Sequence, residues 1–180
     1  VGHRFAYVAS KGGNQFVIVD VAISGPYQQV EPSSLKFSPD GQHVGFAAQV
    51  KGQQKWVMVV DGKEGPPQTN VSVLHLTNGG HFAYIACTGG LYENCVVHDG
   101  KTGPTMAMIQ GLTMSDDGEH VACIPVKENK SPVKWVTVID GQIGPEFVQV
   151  TPVLFSPDGK HTAYTGSDMT ARPVMYAIVD

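Results

Sequence analysis

Regularly spaced aspartates constrain the fold of this chain more than any other feature of the sequence. Each of five aspartates closes an apolar run, and the spacings between them are 41, 38, 41 and 40 residues. They are Asp20, Asp61, Asp99, Asp140 and Asp180. A period near 40 residues indicates a small supersecondary unit that has been copied, and a unit of that size cannot bury its own apolar face. We therefore expect several copies packed side by side.

Each copy contains four short apolar stretches, which we name a, b, c and d in chain order. In the best-formed copy, a, b and c occupy residues 35–37, 43–47 and 56–60. Ser-Pro-Asp-Gly at 38–41 separates a from b, and its glycine suits a tight hairpin. Asp-Gly-x-x-Gly-Pro at 61–66 separates c from d. We expect its proline to begin the outermost strand, where a missing N–H costs least.

The composition favours strands throughout. The chain has 21 glycines and 12 prolines among 180 residues, which leaves little room for helices. The stretches between them are short and rich in β-branched and aromatic residues, as strands are. Four antiparallel strands repeated about every 40 residues are typical of a β-propeller blade, so the predicted fold is an all-β propeller.

The copies number about 4.5, with five b–c hairpins but only four d–a connections. The chain begins inside an a–b hairpin and stops after a strand c, within a single predicted domain over 1–180. Either this is a five-bladed ring whose incomplete end blades face each other, or it is part of a larger ring. Open end blades would leave unpaired strand edges, so we expect self-association through them. The predicted repeat units are 1–33, 34–72, 73–110, 111–151 and 152–180.

Two segments carry a resemblance to a known family. Residues 37–41 and 155–159 both read Phe-Ser-Pro-Asp-Gly and are followed by a strand and then Val-Asp. They resemble the WD40-like repeats of TolB-type bacterial β-propellers, although no Trp-Asp pair closes a strand c as in eukaryotic WD repeats. The resemblance implies a periplasmic or secreted bacterial propeller whose relatives dock other proteins. Some relatives are instead accessory domains of peptidases.

Charge and hydropathy exclude two classes of partner. The net charge is −4, and the 12 lysines and arginines stand one or two at a time, so no basic stripe for nucleic acid is present. No apolar run approaches the roughly 20 residues that a membrane-spanning helix needs.

The sequence does not decide whether two of the three cysteines form a disulfide. Cys87 ends strand b and Cys95 begins strand c of one hairpin, so they either face each other and form a disulfide or lie in a register that prevents it. Cys123 takes the position of Phe46, Tyr84 and Tyr164 in other copies, and we expect a small buried apolar residue there. The spacing does not suit a structural zinc site.

Four histidines begin strand b in successive copies, beside the aspartate that ends strand c. Arg4 takes this position in the first copy. Because arginine keeps the hydrogen-bond donors but does not ligate metals, we expect these pairs to tie b to c and not to hold a metal. The expected pairs are Arg4 with Asp20, His43 with Asp61, His81 with Asp99, His120 with Asp140, and His161 with Asp180.

Residues that depart from the repeat are the candidates for ligand binding. His75 replaces the Phe or Met of strand a, and His98 replaces an aliphatic residue just before Asp99. Lys36 lies on the neighbouring strand a. Either this copy has drifted and its polar groups are satisfied by the backbone, or His75, Lys36 and His98 mark a glycan or small-ligand site in the axial channel.

Catalysis is not expected, and no cofactor is implied. Glycosidases need two carboxylates about 5–10 Å apart, yet most aspartates here belong to turns and the strand a cores contain no acid. Nucleophile, zinc-protease and phosphate-loop motifs are absent from the sequence. We predict a non-catalytic scaffold that binds another protein through its variable b–c loops, with an axial ligand site or a hydrolase accessory domain as alternatives. The loops are 11–14, 50–54, 88–94, 127–132 and 167–173.

Overall fold

The computed structural model describes residues 3–90, 93–128, 130–168 and 174–180, and all regular structure among them is β-strand. None of these residues therefore belongs to a helix that could cross a membrane. The strands are β1 (Ala6–Lys11), β2 (Asn14–Val19), β3 (Ala22–Phe37), β4 (Val44–Val50), β5 (Trp56–Val60), β6 (Lys63–Glu64), β7 (Asn70–Leu76), β8 (Phe82–Cys87), β9 (Asn94–His98), β10 (Lys101–Thr102), β11 (Ala107–Met114), β12 (Val121–Glu128), β13 (Lys134–Ile139), β14 (Gln142–Phe147), β15 (Gln149–Val150), β16 (Leu154–Phe155), β17 (Thr162–Asp168) and β18 (Val174–Val179).

These strands form five consecutive antiparallel blades. The first and second blades share the 16-residue strand β3, whose first half pairs with β2 as strand d and whose second half pairs with β4 as strand a. The third and fourth blades are the four-stranded sheets β7–β10 and β11–β14. In the fifth blade, β15 and β16 both pair with β17 and form a broken strand a. Five b–c strand pairs thus lie within the described residues, and the predicted all-β propeller architecture is confirmed.

The hydrophobic core lies between the blades. Successive residues of a strand point to opposite faces of its sheet, so each central strand serves two neighbours. In β5, Val57 and Val59 pack against the first blade, whereas Met58 and Val60 pack against the third. All four side chains are buried. Each blade therefore covers the apolar face of the next, which is the side-by-side packing that the repeat predicts.

The hairpin between c and d differs from the sequence prediction. Strand d begins directly after Asp-Gly, at Lys63 in the second blade, and not at the later proline. Asp61 and Gly62 have φ of 49° and 76°, and Val60 pairs with Lys63 across them. A two-residue loop with both φ angles positive is a type I′ turn, which matches the twist of the flanking strands. Aspartate tolerates this left-handed conformation better than most residues do, so Asp-Gly alone closes the hairpin.

Candidate functional site

A polar network recurs where the a–b and c–d hairpins meet, at what we call the turn end of each blade. In the second blade, Ser38 Oγ donates to Asp40 Oδ1 at 2.6 Å and accepts from the backbone N–H of His43 at 3.0 Å. His43 Nδ1 lies 2.7 Å from Asp61 Oδ2, and Asp61 Oδ1 accepts from the N–H of Val44 at 2.9 Å. One side chain from each hairpin is therefore hydrogen-bonded to the start of strand b.

The structure brings together the side chains of four of the five expected pairs. Nδ1 of His81 is 2.6 Å from Asp99 Oδ2, and Nδ1 of His120 is 2.7 Å from Asp140 Oδ2. Nε of Arg4 is 2.9 Å from its partner Asp20.

The fifth pair is looser. His161 Nδ1 is 3.2 Å from the backbone oxygen of Asp180 and 3.8 Å from its carboxylate. The hydroxyl of Thr162 donates to that carboxylate at 2.8 Å and takes the place of the imidazole.

Each aspartate of these pairs accepts a backbone N–H, but from strand b and not from its own turn. The donor is the residue that follows the histidine or arginine. These donors are Phe5, Val44, Phe82, Val121 and Thr162.

Arg4 and His43 also contact the next blade. Nη1 of Arg4 donates to the backbone oxygens of Gly41 and Gln42 in the following a–b turn. A Cβ on Gly80, which has a φ of 81°, would lie 2.8 Å from the imidazole of His43. The position at the start of strand b is thus a contact between blades as well as within one.

Hydrogen bonding sets the protonation of this network. The hydrogen bond to Asp99 raises the pKa of His81, and that to Asp140 raises the pKa of His120. Burial alone would raise the pKa of Asp99, but hydrogen bonds from His81 and from the N–H of Phe82 lower it. At His81 and His120 the hydrogen bond therefore favours an imidazolium beside a carboxylate. Among the residues that the structure describes, no three His, Cys, Asp or Glu side chains converge to hold a metal ion.

The three residues expected to bind a ligand do not form one site. His75, in β7, lines a cleft of about 360 Å³ together with Asn78 and Asp116. Burial lowers the pKa of His75, and the charge of nearby Lys36 lowers it further. His98 lines a different cleft, and its Nε2 is 2.7 Å from the backbone oxygen of Gly118. A ligand role for His75 and Lys36 stays a prediction.

The disulfide alternative for Cys87 and Cys95 is wrong in this structure, because both are free thiols. Cys95 pairs with Ala86, and Cys87 pairs with Asn94. The two cysteines are thus offset by one residue in the hairpin, and an offset of one places side chains on opposite faces of the sheet.

Charge is separated between the two ends of the blades. The a–b and c–d turns carry most of the acids. The opposite end, formed by the b–c hairpins, carries five lysines that we call the basic rim: Lys11, Lys51, Lys55, Lys127 and Lys130. A sixth lysine there, Lys134, is paired with Glu146 at 3.4 Å. The acids at the turn end are Asp20, Asp40, Asp61, Glu64, Asp99, Asp116, Asp117, Glu119, Asp140, Asp158 and Asp180.

Sequence reasoning missed this separation because the lysines are scattered along the chain. The antiparallel blade places every b–c hairpin at one end, so residues up to about 120 positions apart share a rim. Aligning the loops of successive copies would have shown the pattern. Parts of the predicted loops, residues 91–92, 129 and 169–173, lie outside the described residues.

Comparison with solved structures places the fold among the β-propellers. The chain matches the β-propeller domain of the Trilobed protease from Pyrococcus furiosus, which has an open velcro topology, at 13% identity and a TM-score of 0.52. That match covers 97% of this chain and 69% of the other.

Two further matches have lower TM-scores. TolB from Acinetobacter baumannii is similar at 17% identity, a TM-score of 0.46, and coverage of 97% and 48%. Hydrazine synthase from Kuenenia stuttgartiensis is similar at 14% identity, a TM-score of 0.42, and coverage of 93% and 56%. The chain thus spans about half the length of the TolB chain that it matches.

No family model and no curated protein matches the sequence. The sheet topology and the likeness to the propeller domain of the Trilobed protease show a β-propeller fold. The structurally similar propeller with the higher TM-score belongs to a protease by name, and a fold does not determine catalysis.

Proposed function

We propose that this protein is a non-catalytic propeller scaffold that binds an acidic protein partner through the basic rim. The observation that supports the proposal is the separation of charge between the two ends of the blades. Among the described residues, the b–c hairpins carry the five lysines of the basic rim, for which no ion pair is found there, against the acids Glu93, Glu128 and Asp168. The turn end carries eleven acids against Arg4, Lys63, Lys101 and Lys160, together with His81 and His120, whose pKa values are raised.

The rim is suited to contact with a partner. Lys11, Lys51, Lys127 and Lys130 are all exposed, and residues 51–54 are exposed throughout. The loops differ in length and sequence, while the turn end repeats one hydrogen-bond network. Binding residues concentrate on variable loops held by a rigid scaffold. A cluster of one charge steers an oppositely charged partner and disfavours others.

Charge reversal at the rim tests the proposal with a fluorescent poly-glutamate peptide as the acidic probe. We expect Lys51→Glu combined with Lys130→Glu to weaken binding by about tenfold, a loss of about 1.4 kcal/mol. Lys63→Glu combined with Lys101→Glu is the matched control, because these exposed lysines lie at the turn end and the net charge changes equally. Fluorescence anisotropy at low and high salt measures both.

Equal losses in the two double variants would show that only net charge matters and would contradict a rim site. Tighter binding of a single-stranded oligonucleotide of the same charge would assign the rim to nucleic acid instead.

We also propose a periplasmic or secreted setting, from the resemblance of the segments at 37–41 and 155–159 to TolB-type repeats. Fractionation of the native cells tests that location.

A further inference from the structure

Strand b carries a large aromatic side chain at one repeated position, three residues after the histidine. In the third blade this residue is Tyr84, and in the fifth it is Tyr164. Both rings are buried between blades. A Cβ on Gly65 would lie 2.9 Å from Tyr84 Oη, and a Cβ on Gly144 would lie 2.9 Å from Tyr164 Oη. The tyrosine therefore fills the space beneath the Gly-Pro segment of the preceding blade.

The fourth blade has Cys123 at this position. Its thiol is much shorter than a tyrosine. Among the described residues other than the chain neighbours of Gly103, a Cβ built on Gly103 would meet only the backbone oxygen of Val96 within 4 Å, so no side chain there takes the place of the ring. Met106 Sδ lies 4.0 Å from Cys123 Sγ, so the methionine borders the space at the thiol.

A larger cleft results between the third and fourth blades. It measures about 410 Å³, whereas the clefts at Tyr84 and at Tyr164 measure about 270 Å³ each. Its inner wall is apolar and its mouth carries charged groups, including Lys101 and Glu119. Ligand pockets in proteins commonly measure about 300–1,000 Å³, and a dry apolar cavity of about 150 Å³ is enough for benzene. The apolar wall is formed by Val96, Pro104, Met106, Leu112, Cys123 and Val138.

Cys123 itself is not a reactive group. Its side chain is buried, and burial raises the pKa of its thiol to about 12. The thiol therefore stays protonated at neutral pH and behaves as a small apolar residue. The fourth blade thus lacks the aromatic ring at this position and has a larger cleft there.

We propose that the cleft at Cys123 binds a small monocyclic aromatic molecule of the phenol type, in the place that tyrosine fills in the neighbouring blades. The ring would pack between the two blades as the rings of Tyr84 and Tyr164 do. Val96 corresponds to Met58 of the second blade, and a Cβ on Gly65 would lie 3.2 Å from the backbone oxygen of Met58 and 2.9 Å from Tyr84 Oη. The backbone oxygen of Val96 accepts the N–H of Gly103 at 2.9 Å, and its second lone pair can accept the phenol hydroxyl.

Calorimetric titration with phenol and p-cresol, with cyclohexanol as the non-aromatic control, tests the proposal. We expect the two phenols to bind and to raise the thermal midpoint, because a ligand that binds only the folded state stabilises it. Cys123→Tyr should weaken p-cresol binding by more than about tenfold and should itself raise the midpoint, since the covalent ring fills the cleft. Cys123→Ala should keep binding, because the space and not the thiol forms the site.

A second variant keeps the proposal testable if Cys123→Tyr folds poorly. Tyr84→Cys should create an equivalent cleft in the third blade and so raise the number of bound p-cresol molecules from one to two. The proposal is wrong if cyclohexanol binds as well as phenol, if neither phenol binds, or if Cys123→Tyr binds p-cresol like the original chain. Stronger binding of a tyrosine-containing peptide than of p-cresol would identify a protein side chain as the occupant and would overturn the assignment to a free phenol.

Discussion

Each aspartate of the repeated pairs performs two tasks with one carboxylate. In the fourth blade, Asp140 Oδ2 lies 2.7 Å from His120 Nδ1, while Oδ1 accepts the N–H of Val121 at 2.9 Å. The ring of His120 then stacks on Phe155 of the next blade, with 6.4 Å between ring centres. The position requires a hydrogen-bond donor that reaches both the aspartate of strand c and the next blade. The guanidinium of Arg4 does both, which explains why arginine can replace histidine in the first blade.

The pair in the fourth blade predicts a dependence of stability on pH. The pKa of His120 is raised in the folded state, so its contribution is fully present below the unfolded pKa of about 6.5 and is lost as the pH rises through the folded pKa. Asp140→Asn keeps the acceptor for Val121 and removes the charge. We expect it to cost about 1 kcal/mol at pH 5.5, at the low end for a charged hydrogen bond because both side chains are about two-fifths exposed, and less at pH 8.5.

Urea unfolding at the two pH values measures this effect, and an NMR titration of the His120 ring should show its pKa falling in Asp140→Asn. Asp168→Asn, at the opposite end of its blade, is the control and should change neither quantity. An equal cost of Asp140→Asn at pH 5.5 and 8.5 would show that the pair of His120 and Asp140 is not ionic.

Asp99 affects stability at lower pH. Its pKa is lowered in the folded state, so its contribution to stability is present above a pH of about 4 and is lost as the pH falls through the folded pKa.

Among the structural elements, the a–b turn connects neighbouring blades through its glycine. Gly118 has a φ of 81°, and a Cβ there would overlap the side chain of His81 from the preceding blade. Gly41 occupies the same position of its own turn with a φ of 73°, and a Cβ there would meet no atom within 4 Å. Both glycines therefore require a left-handed backbone, but only at Gly118 would an added methyl group collide with the preceding blade.

Alanine substitution at the two glycines separates these effects. Gly41→Ala should cost about 1–2 kcal/mol, the usual penalty for a left-handed residue with a side chain. Gly118→Ala should lower the free energy of unfolding by about 1–3 kcal/mol more, because the added methyl must displace His81. The difference between the two free energies of unfolding, from urea titrations at one pH, isolates the contact between blades. Equal losses of free energy of unfolding in the two variants would contradict a contact between Gly118 and the preceding blade.

The sequence allowed prediction of those elements whose partners are close in the chain. His43 and Asp61 belong to one hairpin, and a histidine or arginine faces an aspartate at these positions in every copy, so their proximity follows from the repeat. Contacts that depend on the exact register of two paired strands, or on side chains from several copies, do not follow from the repeat alone. A shift of one residue in the β8–β9 pairing decides whether Cys87 and Cys95 face each other, and the long loop between the strands leaves that register open. The large cleft at Cys123 depends on what fills the space at Gly103, which is a property of two blades together.

For the whole molecule, the outermost described strand, β18, is the least covered apolar element. It pairs with β17 on one side, and no strand among the described residues pairs with its other edge. Met175 and Val179 are 74% and 70% exposed, whereas the equivalent strand of the second blade, β5, is almost fully buried between two blades. An exposed apolar edge strand is a template for pairing with another chain.

We therefore expect this 180-residue chain, produced alone, to self-associate through β18, and we expect Met175→Lys combined with Val179→Lys to shift it towards the monomer. Two added charges would have to be desolvated in a shared sheet, while in the monomer they remain in water. The control is Val21→Lys combined with Ile143→Lys: these residues are 94% and 65% exposed, and the same charge is added away from β18. Light scattering coupled to size-exclusion chromatography gives the mass across a range of concentrations. A monomeric original chain, or an equal response of the two double variants, would show that β18 does not mediate association, since charge alone would then account for any change in mass.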